Sequence, residues 1–444
     1  MRGYMTVTRP VICASGRQRE EWKRDFMARV GIGNWAGLAA VAAVLCAHAL
    51  RGEKTPPPTA QPATPAVRIE VAPLGYAQPG AFYLTYRLSS AALGFLDDDH
   101  LLFTFRVGGL LARVPEDPAE DDDQQIRAVV LDVGTGKAVQ QAEWRMHDRS
   151  QYLWPFTDGK FLVRVRDTLF VTDASLNLEP YLRFDSGLRV IQVSPNRQMM
   201  VVETNYPIKL HSEAAEPQAP RVGRPVRVMI LPLGSKTPIA ESEAQSATLI
   251  PLVGDGLLDT MEGKQPSAWL MRDVPFHGEP RFVGQLKSGC APSLEPVSEK
   301  VALMVGCNLD GDERPVAAFS TEGKELWRDR WQSRFVWGWF DSAANGSRFI
   351  YESIAVNRQI STFDALYPED ITGQMAGVYD TESGKLVMVK DASPVLTAGQ
   401  NAALSPDGKR FAVLRNGAIE VYDLPPVTPP DEKKQPDIVA KKKR

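Results

Sequence analysis

Residues 401–424 read NAALSPDGKRFAVLRNGAIEVYDL, and their pattern decides the architecture. Ala402, Ala403 and Leu404 lead into Ser405-Pro406-Asp407-Gly408-Lys409. There, proline presets one turn dihedral and glycine supplies a positive φ. Phe411 to Leu414 make an apolar run, and Asn416-Gly417 is the strongest short signal for a two-residue hairpin. Ile419, Val421 and Tyr422 then alternate with other residues in a third strand. The stretch is strand, turn, strand, turn, strand.

Working outward, the same plan recurs with looser spelling. Units are read at 91–144, 152–184, 190–241, 247–286, 292–331, 335–390 and 401–424, the fourth being the least regular. Their first turns fall near Asp98, Gly159, Asn196, Asp255, Glu299, Gly346 and Gly408. Spacings of roughly forty to sixty residues suit a four-stranded antiparallel blade with loop insertions. The expected fold class is all-β: a β-propeller of seven blades. The last unit supplies three strands and stops at Pro425-Pro426, whereas residues 82–88 (FYLTYRL) have no hairpin partner of their own. They are therefore expected to add the fourth strand of the last blade, closing the ring and removing an open edge.

The turn spellings SPDGK, TGK, SGK and EGK, and the VYD strand that precedes such turns, resemble those of the WD40-like and TolB-like β-propellers of bacteria. The resemblance spans residues 81–424 and implies a fold rather than an activity. It departs from true WD40 repeats in lacking the Gly-His and Trp-Asp dipeptides. The tryptophan-docking repeats of quinoprotein propellers are also missing, so no cofactor is implied.

Ahead of the repeats lies a basic region, residues 1–29. Residues 30–50 (VGIGNWAGLAAVAAVLCAHAL) then carry no formal charge, which is long enough for a membrane-spanning helix. Arg17, Arg19, Lys23, Arg24 and Arg29 precede it and favour export of the chain beyond residue 50. Ala47-His48-Ala49 resembles a signal-peptidase site, so a cleaved signal peptide and an uncleaved anchor stay open as alternatives, as do Met1 and Met27 as starts. Residues 51–80 read as a proline-rich linker, and residues 425–444 as a disordered Pro/Lys-rich tail. The expected location is periplasmic or extracellular, with contact to the membrane through the N-terminal segment.

In such a compartment, the exported part's two cysteines, Cys290 and Cys307, are an expected disulfide. His100, His147, His211 and His277 have no ligand spacing, and Asn308 to Glu313 keeps only part of a calcium-loop frame; no metal site is expected. No G-x-S-x-G elbow occurs, and Asp97-Asp98-Asp99 sit on a turn and point apart, so no catalytic residue is assigned. Within Trp331, Phe335, Trp337, Trp339 and Phe340, the spacing puts Trp337 and Trp339 on one strand face. They either pack between blades or line the channel mouth and grip a ligand. A net charge of −3 argues against nucleic acid as a partner. The favoured function is a non-catalytic scaffold that binds a protein or peptide of the cell envelope. The alternatives are a propeller enzyme, lyase- or glycosidase-like, with a site built from blade loops, and a membrane-anchored sensor domain.

Overall fold

A computed structural model describes residues 64–85, 88–110, 123–147, 151–205, 225–307, 313–332, 335–358, 360, 366–397 and 400–427. The basic region, the apolar segment 30–50, His211, most of the calcium-like segment and the tail from 428 lie outside the described residues.

Seven four-stranded antiparallel sheets form the fold. Ahead of them in the chain comes β1 (Val67–Glu70). The first sheet is β2 (Ala91–Phe95), β3 (His100–Leu110), β4 (Gln124–Asp132) and β5 (Lys137–Met146). The second is β6 (Leu153–Pro155), β7 (Phe161–Val165), β8 (Thr168–Thr172) and β9 (Glu179–Arg183). The third is β10 (Leu188–Val193), β11 (Met199–Asn205), β12 (Val226–Pro232) and β13 (Ala240–Ala244). The fourth is β14 (Leu252–Val253), β15 (Gly256–Glu262), β16 (Ala268–Pro275) and β17 (Arg281–Lys287). The fifth is β18 (Ser293–Pro296), β19 (Val301–Val305), β20 (Glu313–Ser320) and β21 (Glu325–Gln332). The sixth is β22 (Phe335–Ser342), β23 (Arg348–Val356), β24 (Ile371–Asp380) and β25 (Leu386–Ala392). The seventh joins β26 (Ala402–Leu404), β27 (Arg410–Arg415) and β28 (Ala418–Asp423) to β1. The expected seven-bladed propeller is the observed fold.

The turns form for the reasons their sequences give. Asn416 and Gly417 both take positive φ, 48° and 76°, so Arg415 pairs directly with Ala418. In the SPDGK turn, Gly408 has φ 71°, and the Ser405 hydroxyl accepts the Arg410 amide at 2.9 Å while donating to Asp407.

Ring closure corrects the sequence reading. The outer strand of the last blade is β1, with Val67 opposite Val421 and Ile69 opposite Ile419. It comes from the stretch read as linker. Residues 82–85, from the stretch 82–88 expected to be that strand, instead lie in a short helix, α1 (Ala81–Thr85), in which Phe82 is 52% exposed. With β1 paired to β28, the fourth-strand position of the last blade is already filled. Ile69 is buried, and Arg68 reaches the buried Glu420 at 2.5 Å.

Each seam between neighbouring blades holds one apolar cluster. Leu93 and Phe103 of the first blade meet Leu414 and Ile419 of the seventh around Ile69. Ile350 and Ala376 meet Leu404 and Phe411 at the sixth seam. Further clusters bridge blades one to two, two to three, three to four, four to five and five to six. The core is thus a ring of sheet-to-sheet contacts around an axis, and the innermost strands β2, β6, β10, β14, β18, β22 and β26 face that axis.

Cys290 and Cys307 are joined, their Cα atoms 5.5 Å apart. They flank the hairpin of β18 and β19, in which Ser293 stands opposite Val305. The Ser288 hydroxyl donates to the Cys290 carbonyl at 2.7 Å and accepts the Cys307 amide at 2.8 Å, holding both ends in place.

Candidate functional site

A channel cavity of about 300 Å³ lies on the axis, walled by residues from all seven blades. Leu93, Trp154, Ile191, Leu252, Trp339 and Leu404 form much of its apolar surface. Its charged lining comes from three blades: Arg197, Glu295 and Asp341. A second cavity, about 460 Å³, lies between α1 and the loops around Pro368 and Pro394, and no charged side chain lines it. Of these two cavities, the channel is the one lined by charged side chains.

Asp341 sits near the end of β22, on the channel wall. Its carboxyl is pushed above the ordinary carboxylate range by burial, while the Arg197 guanidinium and the amides of Ser342 and Leu404 oppose the rise. Arg197 reaches the channel from the turn between β10 and β11, where its backbone is left-handed at φ 56°. Glu295, in the middle of β18, is raised to about 7 by burial, against a hydrogen bond with the Ser293 side chain.

Two further carboxyls stand behind the wall. Glu203 on β11 is fully buried, raised to about 7 by loss of water, and accepts the Thr248 amide at 3.1 Å. Glu352 on β23 stands opposite Trp339 and is 1% exposed. Burial, then the nearby Asp341 charge, raises it to about 8, and the amides of Gln400 and Ala402 pull the other way. Gln374 donates to its Oε2 at 3.4 Å, and its Oε1 has no hydrogen-bond partner. Gln374 also accepts amides from Leu396 and Asn401, a polar network inside the seam of blades six and seven.

These buried carboxyls make stability depend on pH. Between about 4.5, where the unfolded carboxyl of Glu352 releases its proton, and about 8, the folded protein keeps the proton. Stability therefore falls as pH rises through that window, by up to ~1.4 kcal/mol per unit for each such group. Glu203 and Glu295 contribute in the same direction only to about 7. The Glu352→Gln variant should accordingly flatten the decline most between pH 7 and 8, seen in urea midpoints at stepped pH. A decline as steep as in the unsubstituted chain would show that Glu352 is ionised when folded.

The aromatic run divides its roles. Trp331, Phe340, Phe349, Tyr351 and Tyr379 stack in the seam of blades five and six, with Trp331 and Tyr351 centroids 4.5 Å apart. Trp339 and Phe340 also line the channel. A bulge between Val336 and Trp339 adds one residue to β22, so simple alternation does not hold across Trp337. Trp337 belongs to β22, and its side chain lies outside the described ones.

Asp98 and Asp99 link the first blade to the last, whereas Asp97 braces its own turn. Asp97 accepts the amides of Asp99 and His100, Asp98 accepts the Asp407 amide at 3.0 Å, and Asp99 pairs with Arg410 at 2.8 Å. His147 meets Asp123 at 3.2 Å, alongside Arg145 and Arg166. Among the described residues, no three of His, Cys, Asp and Glu gather as a metal site.

No protein-family model matches the chain, and no curated protein matches it. Its likenesses are to solved structures. An acylaminoacyl peptidase of Pyrococcus horikoshii is 9% identical with a TM-score of 0.44, covering 79% of this chain and 54% of that one. A putative TolB from Agrobacterium tumefaciens is 11% identical with a TM-score of 0.38, covering 65% and 94%. The C-terminal WD40 domain of Sif2 is 10% identical with a TM-score of 0.37, covering 82% and 99%. This chain spans about half the length of the peptidase chains, 52% and 54%.

Proposed function

We propose that this chain is an exported, non-catalytic propeller that binds a protein or peptide of the cell envelope at the mouth of its central channel. One observation carries the reading: the channel combines an apolar wall, including Trp154 and Trp339, with a few convergent polar groups from separate blades. Binding sites are built in that way, and about 300 Å³ lies at the small end of ligand pockets, roughly 300–1,000 Å³. It suits a side chain or a short extended segment rather than a folded domain. The uncharged residues 30–50 and the preceding basic residues support export. Whether the N-terminal segment is cleaved or anchors the chain, it delivers the propeller to the same compartment.

Leu249 lines the channel and is 70% exposed, whereas Val139 lies on the outer strand β5 and is 54% exposed. A photo-crosslinking amino acid in place of Leu249 should trap a protein partner in cells, and one in place of Val139 should not. Adding Trp339→Ala should cut the Leu249 adduct about tenfold, the factor that loss of a roughly 1.4 kcal/mol aromatic contact produces. Equal adducts at both positions, or none at either, would overturn the reading.

The enzyme alternative has one observation in its favour, the interacting carboxyls of Asp341 and Glu352. Carboxyls held above their ordinary range suit proton transfer at neutral pH. That reading calls for a small molecule consumed by the purified chain and spared by Glu352→Gln.

A further inference from the structure

Resting on the channel-binding reading, we infer that the bound segment inserts a lysine or arginine side chain into the channel. Three independent features of the lining lead there. The charged groups facing the cavity are two carboxyls, Glu295 and Asp341, against one guanidinium, Arg197. Above about pH 7, where Glu295 is ionised, an acidic or phosphorylated segment would meet the wrong sign.

The second feature is a surplus of acceptors. Gln400 donates through Nε2 to the Leu153 carbonyl at 2.9 Å, yet its Oε1 is buried and has no partner. Gln192, by contrast, spends its Oε1 on the Ile250 amide at 2.6 Å. A buried acceptor without a donor costs about 1–3 kcal/mol, which a ligand donor recovers. Lysine and arginine are the side chains that bring several donors and no acceptor.

The third feature is aromatic. Trp339 and Phe340 immediately precede Asp341 on β22, and all three line the channel. Aromatic surface beside a carboxylate attracts a cation through both the ring quadrupole and the charge, more strongly where water is excluded. One cation of the chain already enters the same cavity, where Arg197 acts electrostatically with Asp341. Arg197 acts on Asp341, while Glu295 lines the cavity from the neighbouring blade, in the middle of β18.

The test is selection of displayed random heptapeptides on the immobilised full chain in detergent, read by sequencing. Lysine and arginine together should be enriched at one peptide position by about tenfold over the starting library, equivalent to ~1.4 kcal/mol. Glu295→Gln and Asp341→Asn, each checked for an unchanged melting curve, should reduce that enrichment severalfold. Enrichment that survives both substitutions would overturn the inference. So would peptides selected in a Trp339-dependent way with no basic preference, an outcome that leaves channel binding standing. Failure to select any peptide would remove the channel-binding reading and the inference together.

Discussion

Replacing Arg348 with alanine should cost about 3–5 kcal/mol, the usual loss when one partner of a buried ion pair is removed. Arg348 opens β23 and is 1% exposed, and its Nε donates to Asp380 Oδ1 at 2.9 Å. Nη1 donates to the Gly408 carbonyl at 2.7 Å, inside the SPDGK turn of the next blade, and Nη2 donates to the Pro425 carbonyl just past β28. One guanidinium therefore fastens the second and third strands of blade six to the turn and exit of blade seven. Truncation leaves the Asp380 carboxylate dry without its guanidinium and unties two carbonyls. Converting the pair to Arg348→Met with Asp380→Leu should recover much of the loss, since a well-packed apolar pair often matches a buried ion pair. Urea midpoints of the three proteins decide it. A single-variant loss below ~1 kcal/mol would show that water replaces the guanidinium freely.

The second large effect concerns closure. Ile69→Asp places a charge in the seam of the first and last blades, where Ile69 is 5% exposed. Lost apolar burial alone is worth about 1.5–3 kcal/mol, and an unpaired buried carboxylate adds to it. The strand should detach, freeing the edge of β28 to pair with another molecule. The expected readouts are a stability loss of at least ~3 kcal/mol and concentration-dependent association in sedimentation. Phe82→Asp, in the segment whose sequence suggests the closing strand, should change stability by less than ~1 kcal/mol, as surface substitutions usually do. Equal effects from the two would reject β1 as the closure.

Why β1 escapes a reading of the sequence is instructive. Val67-Arg68-Ile69-Glu70 alternates, but over four residues between prolines and a Pro-Leu-Gly turn. So short a strand is stabilised by the edge it joins, which lies about 350 residues away and leaves no local trace. Residues 82–88 are longer and more apolar and look the better strand, yet 82–85 lie in the short helix α1. The blades themselves are legible because each hairpin carries its own turn chemistry: Gly408 and Asn416-Gly417 act within a few residues.

The channel is legible only in part. Trp339 stands out by the density of aromatics around it. Arg197, Glu295 and Asp341 do not, because they come from three blades, and no spacing rule joins groups that only the ring brings together. A usable signal does exist for two neighbours. Glu203 within MMVVETN and Glu352 within RFIYESIAV interrupt apolar second strands at positions where a buried side chain is required. Each carboxyl placed there is tied to a polar partner, Glu203 to the Thr248 amide and Glu352 to Gln374.

The pairing of β1 with β28 also has a consequence for biosynthesis. Arg68 and Glu420, which meet across that pair, are separated by 352 positions. At ~5–20 residues per second, β1 leaves the ribosome roughly 20–70 s before its partner exists. Six blades can zip locally as they appear, but the ring stays open until the final hairpin arrives. For that interval β1 has no partner strand, and association through its unpaired backbone competes with closure.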